Sequence, residues 1–371
     1  MGKNSPKLNN FRPGNGAGVR LAAVATATPP FTADQLLAEE FFVRRFSQHL
    51  GRRYLAMLKK FLTHPSIRQR HFAFDSPECL VEEDPDRRIA RFTRWAVDLA
   101  AAASLKALAR VGLEPQDVTA LIVHTCTGYI CPGLTSYILE KLDLPRDIRT
   151  YDLVGIGCGG AVPTLQAGSE YLQAHRGGVA LCVSVEICSA TFQMEEDLGL
   201  LMSNALFGDG AAAALLWMRP QGLELVASSN QHQPEDREAI RYVYKNGKLF
   251  NQLSRALPQV VNRAVAAAVQ KVLEPRGLTA GDVAHWALHG GGEKIITAVA
   301  RELGLPPEKL SPTRETMARY GNMSSPSALF TLKDILNNGI RPGDWLLLAS
   351  FGAGLSAHAL LLKHVGGGSG T

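Results

Sequence analysis

The chain has 371 residues, 46% hydrophobic and 20% charged, enough apolar material for one large core or two fused ones. Its 39 Lys and Arg against 34 Asp and Glu leave a net charge of +5, too small and too dispersed for a nucleic-acid surface. No apolar run approaches the ~18 residues of a membrane span, and the N-terminus MGKNSPKLNNFRPGNGAG lacks the apolar centre of a secretion signal, so a cytoplasmic protein without membrane contact is expected.

In chain order, residues 1–18 read as a flexible tail. They open on Met1-Gly2, but Pro6 stands where a myristoylation site has Ser or Thr, so no lipid anchor is expected. The Ala-rich stretch from Ala96 to Val111 has the spacing of an amphipathic helix, and Gly112-Leu-Glu-Pro-Gln-Asp117-Val118 leads on into the apolar strand LIVH, ending at His124. Tyr151-Asp-Leu-Val-Gly-Ile-Gly-Cys158-Gly-Gly reads as a strand, a sharp glycine turn and a helix beginning near Cys158. The run VALCVSV is apolar on both faces, as suits a sheet covered by helices on either side. At an offset of 165 positions the pattern returns. Gly277-Leu-Thr-Ala-Gly-Asp282-Val283 leads into HWALH, ending at His289, and Arg341-Pro-Gly343 before DWLLLAS answers Arg176-Gly-Gly178 before VALCVS. The turn and helix start around Asn322 falls opposite the one around Cys158, and Phe351-Gly-Ala-Gly354 echoes Phe207-Gly-Asp-Gly210 at a shorter offset of 144. The expected fold is α/β, two duplicated halves at residues 19–220 and 221–365 around a pseudo-two-fold axis, with a second flexible tail at 366–371.

In such sheets a site gathers at the carboxyl ends of strands, so one place at the junction of the halves could hold Cys158, His289 and Asn322. A helix start exposes the Cys158 sulfur, its dipole favours the thiolate, and a nearby imidazole would lower the thiol pKa further. Glycines 290 to 292 let the backbone of the site approach a reacting thioester closely, which counts Gly291 with the substrate-binding set. His285 and His289 have the spacing of a metal pair, but Trp286 stands where HExxH has its Glu, so no metal is expected. On its own His289 would read as a core histidine and Asn322 as a helix N-cap; together their donors would make an oxyanion hole. The six cysteines, at 79, 126, 131, 158, 182 and 188, form no CxxC pair and read as reduced thiols. Gly155-Ile-Gly157-Cys-Gly-Gly160 matches a dinucleotide fingerprint, with Glu186 as the ribose-binding acid, but that reading leaves Cys158, His289, Asn322 and the duplication without a role.

The runs LVGIGCGGAVPTL, VEICSATF, ALFGDGAAAA, HGGGEKI, RYGNMSSPS and SFGAGLS resemble, in order and spacing, the type III polyketide synthases, the chalcone-synthase-like branch of the thiolase superfamily, over residues 19 to 365. The resemblance implies a thiolase fold of five αβαβα layers and a homodimer. It also implies free coenzyme A thioesters, an acyl-CoA starter and malonyl-CoA, as substrates, with no bound cofactor. Cys158, His289 and Asn322 fall at the catalytic positions, and Phe207 at a gating aromatic position that presses an apolar face on the malonyl carboxylate. Cys126, Thr127, Cys188, Thr191 and Ser324 fall at pocket-lining positions and Cys131 where the family reaches into the partner's cavity, while Lys60, in the basic helix RRYLAMLKKF, is the candidate contact for coenzyme phosphates, beside the alternative of a solvated helix face. Plant chalcone-forming members have Thr where this chain has Cys126 and Cys188, so the plant product is not expected. Asn251 replaces a gating Phe and Tyr242 a floor Gly, which implies a reshaped, partly filled pocket. The implied products are pyrones, resorcinols or phloroglucinol-type phenols. Two rivals stand beside this reading. A ketoacyl synthase III using acyl-carrier protein would have Gln-Ala-Asn where Gly-Gly-Gly follows His289, and a non-catalytic thiolase-fold partner would have lost Cys158. A thiolase proper would need a second cysteine where Gly352-Ala353-Gly354 has none.

Overall fold

The computed structural model describes residues 18–81, 84–246 and 248–366; apart from residues 18 and 366, the expected tails lie outside it. The first half opens with β1 (Gly18–Ala27), followed by a cap of β2 (Phe31–Asp34), α1 (Gln35–Phe46), α2 (Arg52–Leu62) and β3 (Gln69–Phe72). It continues through α3 (Pro85–Val111), β4 (Ala120–His124), α4 (Leu134–Lys141), β5 (Arg149–Leu153), α5 (Ala161–His175), β6 (Val179–Glu186), α6 (Leu198–Leu206) and β7 (Gly210–Arg219). The second half has β8 (Gly222–His232), the hairpin β9 (Ile240–Lys245) and β10 (Lys248–Leu253), α7 (Leu257–Leu273), β11 (His285–Leu288) and α8 (Glu293–Glu302). It ends with α9 (Ser311–Tyr320), α10 (Pro326–Asn337), β12 (Trp345–Gly352) and β13 (Ser356–Val365).

Nine strands form one mixed sheet in the order β11-β12-β13-β8-β1-β7-β6-β4-β5. The order is palindromic in its pairing. β4 and β6 run parallel, as do β11 and β12; β6 pairs antiparallel with β7 and β12 with β13; β7 pairs antiparallel with β1 and β13 with β8. The halves meet where β1 touches β8 through only two residue pairs, Arg20 with Glu224 and Leu21 with Leu223, sealed by the Arg20–Glu224 ion pair at 3.1 Å.

The halves are not equal. The counterpart of β5, 165 positions on, lies inside α9. That segment buries Thr313, Thr316, Met317 and Ala318 at helical spacing, so it can bury its apolar side only as a helix. α9 instead covers the edge of β11: Thr313 Oγ1 accepts the Leu288 N–H at 3.2 Å, and Lys309 Nζ donates to the Val283 and Ala284 carbonyls at 3.1 and 3.2 Å.

Strands that are apolar on both faces feed separate cores. Leu346, Leu348 and Leu360 of one half and Ile122 and Cys182 of the other face a middle layer of α5 and α10, through Val162, Leu165, Leu329 and Phe330. Leu121, Val183 and Leu215 face α3 and α4 on one outside, and Leu288, Leu347 and Leu361 face α7 and α8 on the other. The result is the five-layered αβαβα sandwich, in which each fully buried Leu or Val contributes about 1.5–3 kcal/mol. A fourth cluster, including Phe42, Leu58, Leu62, Phe72 and Leu201, binds α1, α2, β3 and α6 into the cap.

Candidate active site

Cys158 lies in a turn at Gly157–Gly160 that runs into α5. Gly157, at φ +64°, takes a left-handed conformation against the Ala353 backbone. The turn is docked on the carboxyl end of β12, where Ser350 Oγ donates to the Gly159 carbonyl at 2.7 Å. His289 reaches the same place from β11. Its N–H donates to the Ala349 carbonyl at 2.8 Å and its ring meets Phe351 edge-on at 4.8 Å, with Gly291 packed against the same Phe351.

Asn322 does not cap a helix: α10 begins at Pro326, and Asn322 instead forms a bridge with Phe207. Its Oδ1 accepts the Ser324 N–H at 2.8 Å, which holds Ser324 in the left-handed region at φ +60° and turns the amide N–H group away, free to donate. From that strained position the Ser324 hydroxyl donates to the Cys158 sulfur at 3.2 Å.

Burial pushes the Cys158 thiol up to about 12, with the Ser324 hydrogen bond opposing and the Glu186 carboxylate adding to the rise. It also pushes His289 down to about 3, and among the described residues the buried His289 Nδ1 has no hydrogen-bond partner. Burial thus works against both the thiolate and the imidazolium, opposing the help to the thiolate expected from the helix start. Both charged forms lose hydration here, and among the described residues no hydrogen bond joins Cys158 to His289.

Glu186, at the end of β6, forms the floor under Cys158. Fully buried, it accepts from Ser325 Oγ at 2.7 Å, Cys126 N and Thr127 Oγ1 at 2.9 Å, Thr125 Oγ1 at 3.2 Å and Cys126 Sγ at 3.3 Å, and at 3.3 Å it competes with Cys158 for the single Ser324 hydroxyl proton. Burial raises its pKa and these donors oppose the rise. In the sequence Glu186 attracts notice only as a ribose-binding acid. The available signal was a carboxylate ending an otherwise apolar strand, beside the Thr-Cys-Thr that follows the neighbouring parallel strand β4.

The other expected residues divide. Phe207, Cys188 and Thr191 line a cavity of about 30 Å³ together with Tyr242 and Asn251, which face each other across the β9–β10 hairpin. The Tyr242 hydroxyl lies 3.5 Å from Thr191 Oγ1. The space is enough for a water or two, with Tyr242 and Asn251 occupying part of its wall. Cys126 is half-buried, its sulfur 3.4 Å from the Ser324 hydroxyl. Thr127 stands behind the wall instead of lining it: 3% exposed, it donates to Glu186 and accepts the Ile187 N–H at 2.9 Å. Cys131 is exposed, on the loop before α4. Lys60 is also exposed, on α2, and lines none of the described cavities. The cations that do surround one, of about 370 Å³ and sharing Phe192 with the inner cavity, are Arg45, Arg88, Lys245 and Lys248, with His49. The basic residues of α2 face solvent, and the cavity cations come from α1, α3 and the hairpin. Among the described residues no group of His, Cys, Asp and Glu could hold a metal ion, and no helix is long and apolar enough to cross a membrane.

A half-repeat thiolase fold that brings a buried cysteine, a histidine and an asparagine to its central junction defines an acyl-transferring condensing enzyme. The family profile described as "FAE1/Type III polyketide synthase-like protein" matches residues 33–289, and "Chalcone and stilbene synthases, C-terminal domain" matches residues 224–366. The chain is 31% identical over 300 residues to a 3,5-dihydroxyphenylacetyl-CoA synthase of Streptomyces toyocaensis, covering 78% of this chain and 77% of that protein. It is 30% identical over 353 residues to a 1,3,6,8-tetrahydroxynaphthalene synthase of Streptomyces peucetius subsp. caesius, covering 93% of each. The crystal structure of 1,3,6,8-tetrahydroxynaphthalene synthase from Streptomyces coelicolor A3(2) superimposes with a TM-score of 0.87 at 24% identity, over 94% of this chain and 99% of that one. The chain belongs to the type III polyketide synthase family, acyltransferases that condense acyl-CoA units.

Proposed function

We propose that Cys158, His289 and Asn322 carry out iterative decarboxylative condensation of malonyl-CoA onto an acyl starter held on Cys158. The observation that carries this reading is the meeting of Cys158 and His289 at the carboxyl end of β12, with Asn322 joined to Cys158 through Ser324. The Cys158 S–H proton passes to His289 and the sulfur attacks the starter thioester, burial favouring a proton that moves as the attack proceeds over a standing ion pair. The imidazolium then returns that proton to the departing coenzyme A thiolate. Malonyl-CoA next loses carbon dioxide, the breaking C–C bond leaving its electrons as a thioester enolate. His289 and the Asn322 amide donate to the enolate oxygen. The enolate carbon attacks the Cys158 thioester, the new C–C bond forms, and Cys158 leaves with the lengthened chain now on coenzyme A. Phe207 sets an apolar face beside the malonyl carboxylate, a surface that favours neutral carbon dioxide over the anion. Arg45, Lys245 and Lys248 suit the coenzyme phosphates.

The small cavity closed by Tyr242 and Asn251 favours a small starter over a bulky aryl one, and a phenolic ring as product, like those named for the two Streptomyces relatives. A homodimer fits the unpaired outer edge of β5 and the exposed Tyr129, Tyr151 and Val154 near it. No cofactor enters this scheme, and free cysteine thiols suit a reducing, cytoplasmic setting. Incubation with a panel of acyl-CoA starters and malonyl-CoA should release carbon dioxide and polyketide, identified by mass spectrometry. Cys158→Ala should abolish chain extension, and full extension by that variant would reject the reading. Sedimentation should give twice the chain mass; a monomer rejects the dimer.

A further inference from the structure

Arg70, on β3, is 1% exposed and lies outside the reacting set, yet it is built into the turn that carries Phe207. Its Nη1 donates to the Asn204 carbonyl at 2.7 Å and the Phe207 carbonyl at 2.9 Å, and its Nε donates to Gln35 Oε1 at 3.2 Å. Asn204 lies in the last turn of α6 and Phe207 is its C-cap. A cation there meets the negative end of the helix and two carbonyls that the helix leaves without partners. Burial lowers the Arg70 pKa only to about 10, so the side chain stays charged near neutrality.

The same turn is tied to Asn322. The Asn322 N–H donates to the Leu206 carbonyl at 2.9 Å, and the Gly208 N–H donates to the Asn322 carbonyl at 3.0 Å. Gly321, at φ +70°, admits the Arg70 stem: a Cβ there would stand 2.8 Å from Arg70 Cγ and 2.7 Å from the Leu206 carbonyl oxygen. Gln35, Arg70, Phe207 and Asn322 thus form one strip, and the gating ring and the amide cannot shift independently.

We infer that Arg70 is a positioning residue for malonyl decarboxylation: by gripping the main chain of Phe207 it fixes that ring against the carboxylate without touching substrate. This rests on the roles proposed above for Phe207 and Asn322. A misplacement of about 1 Å at a reacting centre can cost about a hundredfold in rate.

The test compares the wild type with Arg70→Lys, Arg70→Gln, Phe207→Ala and the Arg70→Lys/Phe207→Ala double variant. Three properties are measured: acylation of Cys158 by starter acyl-CoA without malonyl-CoA, carbon dioxide release from malonyl-CoA, and Tm. In Arg70→Lys, kcat for carbon dioxide release should fall by about tenfold or more, with KM for malonyl-CoA changed less than about threefold and Cys158 acylation within about twofold. In the Phe207→Ala background the same Arg70 change should cost less than about threefold further. Arg70→Gln supplies the comparison if the Lys variant does not fold. The inference is overturned if acylation and decarboxylation fall in proportion, if the two losses multiply in the double variant, or if folded Arg70 variants decarboxylate at the wild-type rate. A wild-type protein that acylates Cys158 but releases no carbon dioxide overturns the roles of Phe207 and Asn322, and this inference with them.

Discussion

Two neighbours pull the Cys158 sulfur in opposite directions. The Ser324 hydroxyl donates to it and favours the thiolate, while the Glu186 carboxylate below disfavours it. Ser324→Ala should therefore move the pH profile of Cys158 alkylation by iodoacetamide upward, and Glu186→Gln should move it downward, each by on the order of one pH unit. Shifts in the same direction would contradict this placement of the two groups. Cys158, His289 and Asn322 were legible in the sequence because each stands in a motif whose turn chemistry sets its direction. Glu186 was not, since its donors come from residues 125–127 and 324–325, which only the folded chain brings together. Asn322 shows the same limit at closer range. It looks like a helix cap when only its neighbours in sequence are known, yet in the fold its backbone bridges to Phe207 and its side-chain oxygen accepts from the Ser324 N–H.

The hairpin β9–β10 is the element that sets what the pocket holds. Its register pairs Tyr242 with Asn251, and both side chains occupy space beside Phe207 and Cys188. Tyr242→Gly should open a cavity larger by roughly the volume of the lost ring, so that longer acyl-CoA starters are extended and the product distribution shifts toward greater mass. Product profiles by mass spectrometry across starters of increasing length check this, and an unchanged profile would place the size limit elsewhere. Periodicity located the strands flanking the site and the helix after Cys158. It did not foresee that the segment opposite β5 becomes α9, because burial of Thr313, Thr316, Met317 and Ala318 reads as helical only against β11. Nor did it locate the cations that line the larger cavity, since they come from α1, α3 and the hairpin and are brought together only by folding.

Across the whole molecule, His124, His289 and His358 are buried in neutral form. Burial lowers His124 and His289 to about 3 and His358 to about 4, with His358 adding to the fall at His124 and His232 to that at His358. Their folded values lie below the ordinary 6.5, so their contribution to stability is complete above pH 6.5 and is lost as the pH falls toward 3–4. Unfolding in that window should take up as many as three protons from these residues, each worth about 1.4 kcal/mol per pH unit, and Tm should fall steeply below pH 6.5. Calorimetry across that range measures it, and His358→Gln should reduce the slope. A Tm independent of pH from 6.5 to 4 would mean that these rings are hydrated. The duplication itself was visible as an offset of 165 residues, and the palindromic pairing of the sheet is its physical form. What the offset did not carry is the inequality of the two ends. With β11 sealed by Thr313 and Lys309, and β5 open, the sheet has a single adhesive end. Among the described residues, the segment that breaks the internal symmetry thus also leaves this sheet with one open edge where a symmetric repeat would have left two.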